Sequence, residues 1–478
     1  MGVKEEFLQP ASPSRKLRVS PARAAAFAIL LRVEREDSYA SELLHASTYE
    51  DLSTRDHALA TELVMGVLRW KSRLDEEIAA FSSQPLPKLD LEILVALRLA
   101  LYQFLHLDRI PKHAALNDSV ELVKQARKRS AAPFVNAVLR KLSTAHPAPP
   151  QSFAPGAQPL STGVLARAFA HPPWLVERWT NEFGLPAAQK ICEYDQTVPQ
   201  TVIRLRAPAA EDELRREGIR FTPGNFLAAA RRIESGDVAK TQAFRDGHVV
   251  IQDEGSQLVA ALAGQNAGAD ARILDCCAAP GGKTLAMADR NPQAVIMAAE
   301  LHPHRARLLQ KLVGQKRLGE STASIQIVAA DALSLPTSAR FDRVLADVPC
   351  SGTGTLGRNP EIKWRLRRED SLDLQSRQGA ILESALAQAA PGGRVIYSTC
   401  SLEREENENV LEKILSENPS FRVVDCRAEL QCLHATGELV WNDLESLTRG
   451  AYLRTIPGIH PCDGFFAAIL ENIRTGAA

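Results

Sequence analysis

Two cysteines, Cys350 in DVPCSGTG and Cys400 in YSTCS, stand where a thiol does chemistry rather than fill space. Each follows a short apolar run that reads as a β-strand. Their neighbours are Pro349 and Ser351 in one case, Thr399 and Ser401 in the other. Small polar neighbours at a strand end favour exposure and thiolate reactivity, whereas an isolated cysteine is most often a small buried hydrophobe. Burial of that kind is the expectation for Cys192, Cys426, Cys432 and Cys462. Eight cysteines in 478 residues are too few for a disulfide scaffold and include no CxxC pair, so reduced thiols and no metal site are expected.

Acidic residues recur at the ends of neighbouring strand-like runs. ARILD ends at Asp275, AVIMAAE at Glu300, SIQIVAAD at Asp331, and DRVLADV carries Asp347. At the carboxyl edge of a parallel sheet a carboxylate accepts hydrogen bonds from a ribose diol or a base amino group; singly, it is more often a helix cap or a solvated strand end. Their recurrence points to one crevice lined by Asp275, Glu300 and Asp331. Between Asp275 and the following helix lies CCAAPGGKT, whose small residues let a backbone approach a ligand. It is neither a GxGxxG fingerprint nor a Walker A loop, since the upstream glycine is missing. Taken alone, the turn is compatible with a small adenosine-containing cofactor or with a tight structural turn.

These residues need a sheet to position them, and the chain supplies one late. Arg23 to Leu142 reads as amphipathic helices, with apolar residues at three- and four-residue spacing broken at Pro85, Pro87 and Pro111. The expected organisation is an all-helical domain over 20–145, a Pro-rich linker over 146–163, a small α/β subdomain over 164–250 and an α/β catalytic domain over 251–474. In the last, strand-like runs alternate with helices, the pattern of a parallel or mixed sheet covered on both faces. The strand candidates are ARILD, AVIMAAE, SIQIVAAD, DRVLADV, RVIYSTC and a late pair near YLRTI and FFAAIL.

Composition narrows the class. A 45 % hydrophobic and 24 % charged chain is globular, and it has no uncharged apolar run of membrane-spanning length and no secretory signal, so a cytoplasmic protein is expected. Lys and Arg number 57 against 57 Asp and Glu, so any polyanion must be met by a local patch. One lies between Arg109 and Lys141, where eight basic residues face Asp118 and Glu121; the alternative is a solvated helical face. A second, RNPEIKWRLRRED, places Arg358, Lys363, Arg365, Arg367 and Arg368 beside Trp364, either to grip phosphates or as a solvated helix with Trp364 packed inward.

DCCAAPGGKT, DVPCSGTG, RNPEIKW, YSTCSLEREENE and the terminal DGFF resemble, in order and spacing, the signature series of the Nol/Nop/Sun family of RNA cytosine-5 methyltransferases. RAAAFAILLRV, LATELVMGVLRWKSRLD, RIPKHAALNDSVELVK and PFVNAVLRKL are similar to the NusB-type domain fused to the bacterial branch that acts on small-subunit ribosomal RNA. The resemblance implies a Rossmann-like class I methyltransferase sheet, preceded by an all-helical NusB-like domain and a small α/β subdomain. It further implies S-adenosyl-L-methionine held by Cys277, Ala278, Ala279, Pro280, Gly281, Gly282 and Lys283 at its methionine end. Glu300 would hold the ribose, Asp331 the adenine, and Asp347 would lie between cofactor and cytosine. Cys400 corresponds to the nucleophile and Cys350 to the cysteine that helps resolve the adduct. TVIRLR departs from the pattern, with Arg206 where an asparagine is expected, which puts an RNA-facing detail in doubt.

The chemistry accounts for these residue types. Carbon 5 of cytosine is a poor nucleophile, and thiolate addition at carbon 6 makes it enamine-like, splitting one hard step into easier ones. The base must leave any stack, so the expected partner is single-stranded or flipped cytosine in small-subunit rRNA, met by a monomer. Lys283 is a candidate electrostatic partner for Asp347, or an ordinary helix-start lysine. Phe465 and Phe466 read as a core strand. The rival functions are methylation of another position or of DNA, and a non-catalytic RNA-assembly factor.

Overall fold

The structure, a computed structural model, describes residues 19–36, 38–49, 51–145, 161–207, 209–268, 270–315 and 323–474. Most of the expected linker, 146–160, lies outside them. Backbone contacts divide the chain into two compact units, 1–152 and 153–478.

In the first unit the described elements are helical: α1 (Pro21–Glu36), α2 (Ala40–Leu44), α3 (Thr54–Phe81), α4 (Leu91–His106), α5 (Lys112–Gln125) and α6 (Ala132–Thr144), with short 3₁₀ turns between some of them. Ser53 caps α3 by accepting from Asp56 N at 3.1 Å, and Pro133 occupies the first turn of α6, where no amide partner is lost. LEILVALRLALYQFLH is apolar around most of its circumference because α4 is the central helix, packed against α1, α3, α5 and α6. Its one deeply buried cation, Arg98, is matched by Asp75 at 2.7 and 2.8 Å and by Glu34 at 3.2 Å. Of the eight basic residues from Arg109 to Lys141, all but Lys128 are exposed, so this bias forms a surface.

The second unit starts with α7 (Thr162–Ala168), α8 (Pro173–Phe183) and α9 (Leu185–Gln196). Strands β1 (Val202–Leu205), β2 (Arg220–Pro223), β3 (Ala230–Ser235) and β4 (Val249–Ile251) then form an antiparallel sheet in the order β2-β3-β1-β4. The segment expected as one α/β subdomain contributes to several cores, with Val202, Phe226, Leu227 and Ala230 joining that of the large sheet. Trp179, Ile191 and their helical neighbours pack with Leu356, Ile362 and Leu402 from the later half, while Ile203, Leu214, Ile219 and Val249 make a separate small core. Arg206, the departure from the family pattern, grips Asp289 through Nε at 2.8 Å and Nη2 at 2.6 Å, and Arg204 joins at 2.8 Å. These bonds tie β1 to the helix Gly282–Arg290, a structural use of the arginine that stands where an asparagine is expected.

The remaining strands are β5 (Arg272–Asp275), β6 (Val295–Glu300), β7 (Ser324–Ala329), β8 (Phe341–Asp347), β9 (Ala389–Thr399), β10 (Phe421–Val424), β11 (Thr448–Arg449), β12 (Tyr452–Arg454) and β13 (Phe466–Asn472). They form one sheet in the order β11-β12-β13-β9-β8-β5-β6-β7, with β10 also paired to β13. β5 to β9 are parallel and β13 runs antiparallel beside β9. The doubly wound α/β class expected from the alternating pattern is what the chain adopts. Helices Glu254–Gly264, Gly282–Arg290 and Cys426–Ala435 cover one face; Asp370–Gln388 and Glu408–Glu417 cover the other. Burial on both faces explains the near-continuous apolar run of β13, FAAIL. The order reverses between β5 and β8, which opens a crevice at their carboxyl ends. Among the described residues no helix is long and apolar enough to cross a membrane.

Loops at that edge cross backbone to backbone. Gly354 N donates to Cys400 O at 2.8 Å and Gly464 N to Gly354 O at 2.7 Å. A Cβ on Gly354 would stand 2.3 Å from Gly464 O and 2.8 Å from Cys400 O, atoms that cannot rotate away. Gly354→Ala is therefore expected to cost about 1–3 kcal/mol, the range for overpacking, as a lowered urea midpoint; an unchanged midpoint would show that the loops yield freely.

Candidate active site

From Asp275, at the end of β5, the chain turns through Cys276 to Gly281 into the helix Gly282–Arg290. Gly281 has a φ of 108°, and a Cβ there would lie 2.5 Å from Leu309 Cδ1, so glycine is demanded twice over. Gly282 packs against the Gln252 amide, whose carbon is 3.3 Å from the place of a Cβ. This turn, Val250 to Asp253, Asp275, Lys283 and Asp347 line a cavity of about 350 Å³, within the usual span of small-molecule sites, about 300–1,000 Å³. The electropositive N-terminus of the Gly282 helix begins in its wall.

Asp275 is fully buried. Its Oδ2 accepts from Thr284 Oγ1 at 2.7 Å, and among the described residues its Oδ1 has no hydrogen-bond partner. Asp347, at the end of β8, accepts from Lys283 Nζ on Oδ2 at 2.7 Å and from Ser398 Oγ on Oδ1 at 2.6 Å. Burial disfavours the Lys283 ammonium, but Asp347 outweighs it and holds the lysine above its ordinary pKa. Lys283 is thus an electrostatic partner of Asp347, and it also lies 5.2 Å from the ring centre of Phe465.

β8 and β9 pair in parallel with Asp347 opposite Ser398. A few residues beyond that rung, Cys350 Sγ and Cys400 Sγ are 3.3 Å apart. This contact, then burial, raises the Cys350 pKa well above the ordinary cysteine value. The two cysteines, the turn and Asp347 thus share one edge of the sheet. Glu300 and Asp331 are also at strand ends, but they do not line the cavity. Glu300 is buried and accepts from His302 N at 3.0 Å; Asp331 is exposed and accepts from Leu333 N at 3.0 Å.

Other expectations are corrected. Cys192, Cys426 and Cys462 are buried, but Cys432 is exposed on the outer side of its helix. The RNPEIKW cations do not form one exposed cluster. Arg358 binds Asp463 at 2.7 Å and Asp253 at 3.0 Å, Lys363 is 1 % exposed, and only Arg367 and Arg368 lie on the surface. Phe465 and Phe466 are core residues, as their sequence predicts. Sequence reasoning missed Gln252, Ser398, Gln378 and Glu406. Neutral amides and hydroxyls carry no motif signal; Glu406 had one, its place in YSTCSLEREENE, but no spacing rule assigned it a contact.

Residues 259–471 match the family described as 16S rRNA methyltransferase RsmB/F, and residues 20–144 match the NusB family. The agreement also runs the length of the chain. A Bacillus subtilis protein described as "Probable ribosomal RNA small subunit methyltransferase B" is 32 % identical over 95 % of this chain and 100 % of its own. The chain belongs to the RsmB/F family of methyltransferases. A Vibrio cholerae ribosomal RNA small subunit methyltransferase B is 30 % identical, covering 94 % of this RsmB/F chain and 97 % of its own. The crystal structure of PH0851 shares the fold, with a TM-score of 0.76 at 22 % identity over 95 % of this chain and 99 % of that one.

The buried Asp275 gives the RsmB/F site a pH signature. Burial lifts its carboxyl from 3.8 to about 6, against the lowering effect of the Thr284 hydroxyl. A raised folded-state value means that this group's contribution to stability is complete below 3.8 and is lost as pH rises through about 6. Asp275→Asn keeps the neutral form at every pH. Its urea-unfolding stability relative to the parent is expected to improve with rising pH across that window, and a pH-independent difference would count against a buried, titrating Asp275.

Proposed function

We propose that this methyltransferase transfers the methyl group of S-adenosyl-L-methionine to carbon 5 of a cytosine in 16S ribosomal RNA, through a covalent bond between Cys400 and the base. The observation that carries the reading is the pair of thiols 3.3 Å apart beside Asp347, on the edge that holds the glycine turn. A scaffold that only assembled RNA would need neither the pair nor the cavity.

The residues present fit the cofactor. The cavity has the size of a small-molecule site, the Gly282 helix begins in its wall, and the orphaned Asp275 Oδ1 awaits a donor. Cys277 to Lys283 would hold its methionine end, and Glu300 and Asp331, at strand ends outside the cavity wall, would reach its ribose and its adenine; Lys283 and Asp347 border it. Bound S-adenosyl-L-methionine supplies an electrophilic methyl group.

Cys400, as thiolate, forms a sulfur–carbon bond to C6 of cytosine and pushes electron density to C5, which takes the methyl group. The C5 proton then leaves, the C6–sulfur bond breaks, the 5,6 double bond returns and Cys400 is released. Cys350 assists this proton removal directly or through a water, a general acid–base contribution of roughly 10²–10⁴-fold. Asp347 borders both ligands, anchored by Lys283 and Ser398. The target is single-stranded or flipped RNA, since a stacked base cannot reach two thiols and the cofactor together. The exposed basic surface of the helical unit, expected over 20–145, meets the phosphates.

Bisulfite sequencing of RNA from cells with and without the gene is expected to show one protected 16S cytosine that is lost with the gene. Protection lost in tRNA instead would overturn the substrate, and no loss would overturn the reaction. Cys400→Ala is expected to abolish both methylation and adduct. Cys350→Ala should still attack and methylate but accumulate RNA–protein adduct on a denaturing gel; absence of adduct in both variants during turnover would refute separate roles.

A further inference from the structure

The 3.3 Å approach of two thiols from different strand ends requires the loops to be held together, and apart from the backbone bond from Gly354 N to Cys400 O the ties come from other residues. The chain places a carboxylate behind them. Glu406 is 0 % exposed, on the short 3₁₀ turn Arg404–Glu406 just after the Cys400 loop. Its Oε2 accepts from Ser351 N at 2.8 Å and from Gln378 Nε2 at 2.8 Å; its Oε1 accepts from Ser401 Oγ at 2.7 Å. Ser351 follows Cys350 and Ser401 follows Cys400. Gln378 Nε2 also donates to Pro349 O at 3.0 Å, on the other side of Cys350. The two serine hydroxyls are 3.0 Å apart. Glu406 O is itself pinned by the Tyr397 hydroxyl at 2.5 Å.

We infer that Glu406 is the positioning residue of the cysteine pair, a buried carboxylate that brackets both loops and sets the distance between the two sulfurs. It touches neither sulfur, so it acts through Ser351, Ser401 and Gln378. A buried carboxylate is costly unless its lone pairs are satisfied, and here they are satisfied by groups from both loops and the Asp370–Gln388 helix. An apolar residue would fill the volume but hold nothing. Displacement of reacting groups by about 1 Å can cost about 100-fold in rate, so tethering of this kind bears directly on catalysis. The inference about rate rests on the two-cysteine reaction proposed above; the inference about distance does not.

Two readouts separate them. The first is the rate at which diamide, an oxidant of thiol pairs, links Cys350 to Cys400 in the full-length protein, followed by peptide mapping without RNA or cofactor. The second is single-turnover methylation of 16S rRNA, with S-adenosylhomocysteine affinity as the control. Glu406→Ala is expected to slow cross-linking and to reduce methylation by about 100-fold, with the affinity unchanged. Glu406→Gln keeps an oxygen for Ser351 and Gln378 and lets Ser401 turn from donor to acceptor, so it should restore both rates to near the parent's. Ser401→Ala removes the hydroxyl that joins Glu406, Ser351 and Thr353 and accepts from Glu403 N, and it should slow cross-linking several-fold even if Glu406→Ala does not fold. Cross-linking at the parental rate in Glu406→Ala or Ser401→Ala would overturn the inference, as would Glu406→Gln being as impaired as Glu406→Ala. Slowed cross-linking in a protein whose parent methylates no cytosine would uphold the positioning role and sink the reaction.

Discussion

The register of β8 on β9 is the constraint on which the site depends. With Asp347 opposite Ser398, the hydroxyl reaches one carboxylate oxygen and leaves the other to Lys283. The next residues of both strands then leave the sheet on the same edge, which brings Cys350 to Cys400. In a sheet the side-chain period is two, so a one-residue slip would turn Asp347 or Ser398 to the opposite face and dissolve the junction. The flanking strands guard against such a slip. β5 lies on the far side of β8 and β13 on the far side of β9, and all are packed under helices.

Charge in this unit is used internally as much as externally. Lys283 with Asp347, Arg358 with Asp253 and Asp463, and Arg204 and Arg206 with Asp289 each join segments distant in sequence. Ion pairs taken out of water contribute little net stability, because desolvation offsets their attraction, but a partner left alone is strongly unfavourable. Such pairs penalise wrong arrangements more than they reward the right one. That suits loops which must meet at an active edge, and it reconciles a formal net charge of zero with a basic surface elsewhere.

Local pattern carried the fold class. Helical spacing marked the first unit, and alternation of apolar runs with helices marked the doubly wound sheet, because burial of a stripe or a face is written directly into residue order. The four residues of β10 and two of β11 escaped notice; strands that short hold their place only by pairing with β13 or β12. The division of 164–250 among several cores was equally invisible, since one of them depends on Leu356, Ile362 and Leu402 arriving from far along the chain.

The sequence by itself determined the residue types at the strand ends: thiols at 350 and 400, a carboxylate at 347, glycines at 281 and 282, and the motif order that marks the family. These are short-range facts, legible because each strand end and turn imposes its own local rule. Tertiary structure alone decided which of them meet. It joined Lys283 to Asp347 and Arg358 to Asp463, buried Lys363, exposed Cys432, and left Glu300 and Asp331 outside the cavity wall. It also placed Glu406 between two loops whose cysteines lie 50 residues apart. Contacts of that range are set by strand order and register, which no local pattern encodes.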